Sequence, residues 1–337
     1  MSGTPHRRYR TSSTTNRMHL PPALKKTLQG SASWLPVSLS PPQDLVRVLL
    51  ITAGGAFDVT TNHVVAALDP LTIAIGLDES MRVAVADSAA QLHFFDHGVE
   101  RPIAVLQLGD VRFWAAGGTL LGCFEVRRGS HRCTSPLRRA WDRCLNARAR
   151  WRGNRPGNFS LSGRALSSLM ILYICPRPVF FVSVDDGLHE NLFPMDLVGT
   201  IAPDRFALAL RNSSPSVETI KRAQKVALAS VPAADHRLAI ELGAHHRKTA
   251  IDWSAQPFKV VRTKEFSFPT VETALRVREI TILDCRPMGS HTFFLGRVVC
   301  DQSLRNGLQL YHTCGAYQHL RSRRNVPFET PDTHATP

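Results

Sequence analysis

The richest run of chemistry-bearing side chains is Arg211-Asn212-Ser213-Ser214-Pro215-Ser216, which follows the apolar segment RFALAL without a break. The residues after it have the types of a helix start. Ser214 suits an N-cap, Pro215 the first helical position and Glu218 the first turn, while Ile220 and Ala223 fall on one face. At such a start the backbone N–H groups point outward and the helix dipole is positive. With a guanidinium and hydroxyls beside them, they form a seat for a phosphate. The same residues also make an ordinary capped helix, with Ser214 bonded to its own backbone and Arg211 in water, and residue types alone leave both readings open. Asp185 and Asp186 stand before Gly187 in a DDG turn signal, so turn chemistry explains them better than a catalytic carboxylate pair. His245 and His246 are adjacent, and neighbouring side chains diverge, so no metal site is expected. The seven Cys are scattered with no CxxC, which fits buried thiols and neither a disulfide framework nor a zinc site.

The elements that must hold this seat are strands. Apolar runs bounded by Gly, Asp and Pro recur in residues 45–126 as LVRVLLITA, VVAAL, LTIAIGL, RVAVA, PIAVLQLG and TLLGCFEV. They return from Arg177 as RPVFFVSV, LVGTIA, RFALAL and VALASV, and end with EITILDCRP and HTFFLGRVVCD joined near Gly289. A short helix is predicted within NFSLSGRALSSLMILY. The fold class is mainly β with short helices. NHVVAALDPLTIAIGLDES, from Asn62, overlays NLFPMDLVGTIAPDRFALALRNSS when Pro70 is set on Pro203. That pairing puts Val65 on Val198, Ile73 on Phe206, Leu77 on Leu210 and Ser80 on Ser213, and suggests an internal duplication. The first copy then offers Asp78, Glu79, Ser80 and Met81 where the seat should be, and its carboxylates would repel a phosphate.

Composition narrows the classes further. In 337 residues, 43% hydrophobic with 16 Phe, there is enough for a substantial core. No stretch of roughly 20 uninterrupted apolar residues spans a membrane, since ALSSLMILYICPRPVFFVSV is broken by Pro176, Arg177 and Pro178. The N-terminus carries basic residues with no apolar run behind them, so no secretory signal is expected, and a cytoplasmic location is. The net charge of +14 is concentrated in residues 127–155, where ten Arg face one acid, Asp142. Trp141 and Trp151 could stack on bases there, but no nucleic-acid module surrounds them, so this segment reads as a basic linker, 127–160. Residues 1–44 read as a disordered leader and 326–337 as a disordered tail.

From about residue 161 to 325 the chain resembles the flavin reductase family with the FMN-binding split barrel fold. The resemblance rests on RPVFFVSVDDGLHENLFPMDLVGTIAPDRFALALRNSSPSVETIKRAQKVALASVP and on the downstream GSHTFFLGRVV. It implies a β-barrel, a homodimer or an intramolecular pseudo-dimer with residues 45–126 as a degenerate copy, and FMN reduced by NAD(P)H. By resemblance, Asn191, Phe193, Pro194, Met195 and Asp196 line the isoalloxazine edge, and Val198, Gly199 and Thr200 add backbone or hydroxyl contacts. Arg211, Asn212, Ser213, Ser214 and Ser216 hold the phosphate, and His291 approaches the nicotinamide. Ser290 stands where the family carries an acid, Asp196 where it carries a small hydroxyl, and GAHHRKTAIDW lacks its Ser-Gly followed by Asp-Lys-Phe. The alternative within this resemblance is a flavin-binding or dimerisation module without turnover.

Overall fold

The computed structural model describes residues 34–40, 45–86, 89–151, 161, 163–249 and 251–331. After β1 (Trp34–Leu39), the strands β2 (Val46–Thr52), β3 (Gly55–Asp58), β4 (His63–Leu68), β5 (Leu71–Leu77), β6 (Gln91–Asp96), β7 (Ala104–Ala116) and β8 (Thr119–His131) follow. The last seven form one antiparallel sheet in the order β3-β2-β6-β7-β8-β5-β4. A two-residue strand β9 (Arg177–Pro178) leads into β10 (Phe180–Asp185), β11 (Glu190–Met195), β12 (Val198–Ala202), β13 (Arg205–Arg211) and β14 (Lys225–Ser230). A short pair, β15 (Val260–Arg262) and β16 (Pro269–Val271), precedes β17 (Arg276–Met288), β18 (His291–Ser303) and β19 (Gln309–Cys314). The second large sheet runs β11-β10-β14-β17-β18-β13-β12. Strand for strand, that is the order of the first.

The likeness extends to detail. β7 with β8, and β17 with β18, are hairpins of two 13-residue strands. Each turns through two residues, Gly117-Gly118 or Gly289-Ser290, and each carries two bulges, the first between Gln107 and Leu108 or between Glu279 and Ile280. One apolar core runs through both halves. β2 shows the alternation of a strand covered on one face, with Val46, Val48 and Leu50 buried and Arg47 exposed. β5 is buried at every residue, because its second face and that of β4 pack against β12, β13 and β18 of the other half.

The contact between halves is reciprocal. Ser290 N–H donates to the Asp69 carbonyl (2.8 Å), and Asp69 N–H donates to Ser290 Oγ (2.9 Å). At the matching corner, Arg205 Nη2 donates to the Gly117 carbonyl (3.2 Å). The backbones approach closely: a Cβ on Gly76 would collide with the Ile201 carbonyl, and one on Gly199 would lie 2.9 Å from Val64 Cγ2.

Several expectations need correction. RVAVA is not a strand but part of the helix Glu79–Ala86, nucleated by Asp78, whose Oδ1 accepts from Met81 N–H (2.8 Å) and Ser80 Oγ (2.6 Å). The leader does not extend to residue 44, since β1 pairs along its whole length with β19; residues 1–33 lie outside the described residues. The Arg-rich segment begins inside β8 and continues as the helix Pro136–Trp151, with 152–160 outside the described residues. In the tail, Phe328 is buried and Glu329 bridges Ser38; 332–337 lie outside the described residues. The predicted helix near residue 165 is present as Gly163–Leu172.

The gapless overlay holds for β5 on β13 and fails elsewhere. Both hairpins carry a bulge, at Val65/Ala67 in the first half and Thr200/Ala202 in the second. Val65, opposite Ile73, therefore corresponds to Thr200, opposite Phe206, and the first hairpin is two residues longer. Asp78 alone separates β5 from its helix, whereas Asn212–Pro215 separate β13 from the helix Ser216–Ala223. The first half does not carry carboxylates in an equivalent loop, because it lacks that loop.

Candidate functional site

A cavity of about 800 Å³ opens where β11, β13 and β18 meet the segments preceding β9 and following β14. Its polar lining falls into two groups. The first gathers around the end of β13: Arg211, Ser213, Ser214, His246, Arg247 and His291. Arg211 pairs with His291 across the β13–β18 ladder. Burial, followed by the charge of Arg247, holds the Arg211 guanidinium below the usual arginine range. Burial and Arg211 push the His291 imidazole down to about 4, so this ring is neutral near pH 7. Its Nδ1 lies 2.8 Å from Ser290 Oγ, and only 1% of the residue is exposed.

The loop adopts neither simple form of the sequence reading. The helix begins at Ser216, and Ser214 is no side-chain cap. Its Oγ donates to the His246 carbonyl (3.1 Å), while its own carbonyl accepts from Val217 N–H (3.1 Å). Backbone carbonyls thus close the helix start, and Ser213, Ser214 and Arg211 are left along the cavity wall. Asn212 serves the neighbouring turn: Nδ2 donates to the Gly289 carbonyl (2.8 Å) and Oδ1 accepts from Thr292 Oγ1 (3.0 Å).

The second polar group is Tyr173, Asp196 and His312. Asp196 Oδ2 accepts from His312 Nδ1 (2.7 Å) and from the Tyr173 hydroxyl (2.9 Å). Burial alone would raise this carboxyl, but the His312 bond and charge, the Tyr173 bond and nearby Arg177 outweigh it and hold Asp196 below the usual carboxylate range. The anomalous acid in the Asn191–Thr200 stretch is therefore paired. Burial, then Asp196, raises the Tyr173 phenol well above its ordinary value, so it stays a donor. His246 stands between the two groups and feels the charges of both Arg211 and Asp196. Its Nε2 donates to the Pro194 carbonyl (2.7 Å), and its ring packs on Phe193 at 4.6 Å. The apolar wall comes from distant segments: Trp34 on β1, Leu68 on β4 of the first half, Leu169, and Met195, Leu197 and Leu210.

Of the residues singled out in the sequence, Pro194, Met195, Asp196, Arg211, Ser213, Ser214 and His291 meet at this cavity. Phe193 is wholly buried behind His246. Asn191 is buried as a clasp, with Nδ2 donating to the carbonyls of His245 (2.9 Å) and Lys248 (2.8 Å) and to Ser216 Oγ (3.3 Å). Ser216 accepts in that clasp, is buried, and does not line the cavity. Val198, Gly199 and Thr200 belong to the β12 ladder, and Gly199 faces Val64 of the first half; none of the three lines the cavity. Sequence reasoning missed Trp34, Tyr173, His246, Arg247 and His312. Only the His245-His246 doublet carries a signal, as the residues of the loop that departs from the family pattern. Among the described residues no cluster of His, Cys, Asp and Glu could hold a metal ion, and no helix is long and apolar enough to cross a membrane.

Residues 172–321 match the family model of the flavin reductase like domain, so this part of the chain is a flavin reductase like domain. Solved structures of similar chains include BorF, the flavin reductase component of a bacterial two-component tryptophan halogenase, at 15% identity over 44% of this chain and 93% of that one, TM-score 0.40. The Streptomyces globisporus C-1027 NADH:FAD oxidoreductase SgcE6 is 16% identical over 48% and 95%, TM-score 0.40. An FMN-binding protein from Thermus thermophilus is 19% identical over 54% and 99%, TM-score 0.39. No curated protein matches the chain.

Proposed function

We propose that this cavity binds FMN and that the protein is a flavin reductase-like oxidoreductase, passing a hydride from NAD(P)H to the flavin. The observation that carries this reading is the donor set: two arginines and the Ser213 hydroxyl share one cavity with a broad apolar wall. This fits a molecule with a phosphate at one end and a flat ring at the other. Arg211 and Ser213 would hold the phosphate by charge-assisted and hydroxyl hydrogen bonds, and Ser214 would join them by turning its hydroxyl from the His246 carbonyl. Met195, Leu197 and Leu210 would take ring surface, with Pro194 and Asp196 at its rim. When bound, the flavin supplies the two-electron chemistry, and the protein positions it and excludes water. His291, neutral at physiological pH, offers the nicotinamide a hydrogen-bonding edge without a competing charge. In this reading residues 161–325 are the flavin domain, and the preceding half takes the place a second protomer would occupy in a dimer, making the chain a pseudo-dimer.

One observation favours a non-catalytic flavin-binding module: the His291 ring is almost wholly enclosed, which leaves a nicotinamide little of it to touch. The purified chain separates the readings. FMN fluorescence quenched on titration, together with flavin-dependent oxidation of NADH or NADPH, is the expected result. Quenching without oxidation would support the binding module, and absence of quenching would remove both.

A further inference from the structure

The phosphate seat uses only the first polar group of the cavity, and the second has no role in it. His312, Asp196 and Tyr173 come from β19, from the connection between β11 and β12, and from the segment after the helix Gly163–Leu172. Both donors converge on one oxygen, Asp196 Oδ2, at 2.7 and 2.9 Å. That fixes the His312 ring with Nδ1–H toward the carboxylate. Its other nitrogen, Nε2, makes no hydrogen bond among the described residues, and the ring lines the cavity. Trp34 stands edge-on to Tyr173 at 5.7 Å, so the polar trio sits against aromatic and aliphatic walls. As a mere clasp this arrangement contributes little, since a partly exposed ion pair adds little to stability. An imidazole oriented by a carboxylate, with its second nitrogen unbonded among the described residues and its ring on a cavity wall, is equipped to deliver a proton.

A cavity of about 800 Å³ is large enough for a second small molecule beside a flavin. Resting on the flavin reading above, we infer that His312 is the proton donor to an organic electron acceptor, a quinone or similarly conjugated dicarbonyl, reduced in this cavity. The flat apolar ring of such an acceptor suits Trp34 and Leu169, and its reduction creates an oxygen that must be protonated. When bound, the reduced flavin would supply the hydride, and His312 Nε2 would give the proton that completes the hydroquinone. His312 regains its proton from water.

The test compares menadione, a quinone, with ferricyanide, a one-electron acceptor that takes up no proton, in the FMN-loaded full chain and in His312→Gln. The ratio of menadione to ferricyanide turnover is expected to fall about 100-fold in the variant, the ordinary worth of a positioned acid. Menadione turnover by the wild-type protein is expected to slow in deuterium oxide more than ferricyanide turnover does. This second comparison needs no variant to fold. Without turnover, 1-naphthol, which carries the product's hydroxyl, is expected to move the His312 side-chain nitrogen resonance of the oxidised holoprotein. An unchanged ratio, equal solvent isotope effects or an unmoved resonance would overturn the assignment while leaving the flavin reading intact. Failure of the wild-type chain to take up FMN would overturn both.

Discussion

The two halves of this chain share a strand order, a pair of long bulged hairpins and a helix of eight residues after the fourth strand of each sheet, and they differ where that helix begins. In the first half one residue, Asp78, caps the helix with its carboxylate. In the second half the four-residue loop Asn212–Pro215 intervenes, carbonyls close the helix, and Arg211, Ser213 and Ser214 turn to a cavity. Matched across the hairpins, Asp78 stands where Arg211 stands. Strand packing therefore tolerates either sign of charge at this point, and the proposed anion seat belongs to a loop that only the second half has. The other copy contributes a wall residue, Leu68, and the close face built on Gly76.

The comparison is broken most severely by giving the second half the first half's residue. Arg211→Asp is expected to weaken FMN binding by more than about 100-fold, since removing one partner of a buried charge pair costs about 3–5 kcal/mol. Fluorescence titration checks this, and the reciprocal Asp78→Arg should leave FMN affinity where it was. Next comes acid stability. Burial and Arg177 push His63, in the first half, from 6.5 down to about 3, and burial and Arg211 push His291, in the second, down to about 4. Both rings are neutral in the fold and bind a proton more readily when unfolded. Their stabilisation is therefore complete above pH 6.5 and drains away as pH falls toward 4 and then 3, by on the order of a few kcal/mol. Urea titrations across that range should show a shallower slope in His63→Gln and, to a lesser degree, in His291→Gln. A smaller effect is expected from Gly76→Ala, whose new methyl meets the Ile201 backbone: a loss of about 1–3 kcal/mol, with both halves unfolding in one transition. Smallest is Asp78→Ala, which removes a helix cap worth about 1 kcal/mol and should shift thermal stability without touching FMN affinity.

Much of this comparison was legible in the residues. Short apolar runs marked most strands, and the echo between Asn62 and Asn191 announced the repeat, because buried strands leave a pattern that needs only local residues. RVAVA misled for the same reason. Alternating Val and Ala suits a strand, and only the Asp78 cap and the packing of Met81 and Val85 make it a helix. The proposed seat was legible as a run of Arg and Ser, but its orientation was not, since whether Ser214 caps the helix or faces His246 is decided by the Gly243–Arg247 turn about 30 residues on. The second polar group left no trace in spacing. His312 is placed by β19 between β1 and β9, the Tyr173 carbonyl accepts from Cys314 N–H and Thr313 Oγ1 of the same strand, and Asp196 follows the end of β11.

Flavin stoichiometry measured together with molar mass tests most directly the claim that one copy holds the site and the other supports it. Light scattering combined with flavin absorbance on the FMN-saturated protein should give one FMN for each 337-residue chain, in a particle of one chain's mass. Two FMN per chain would show that the first half also binds, and no FMN, or binding only by a particle of two chains, would contradict the account.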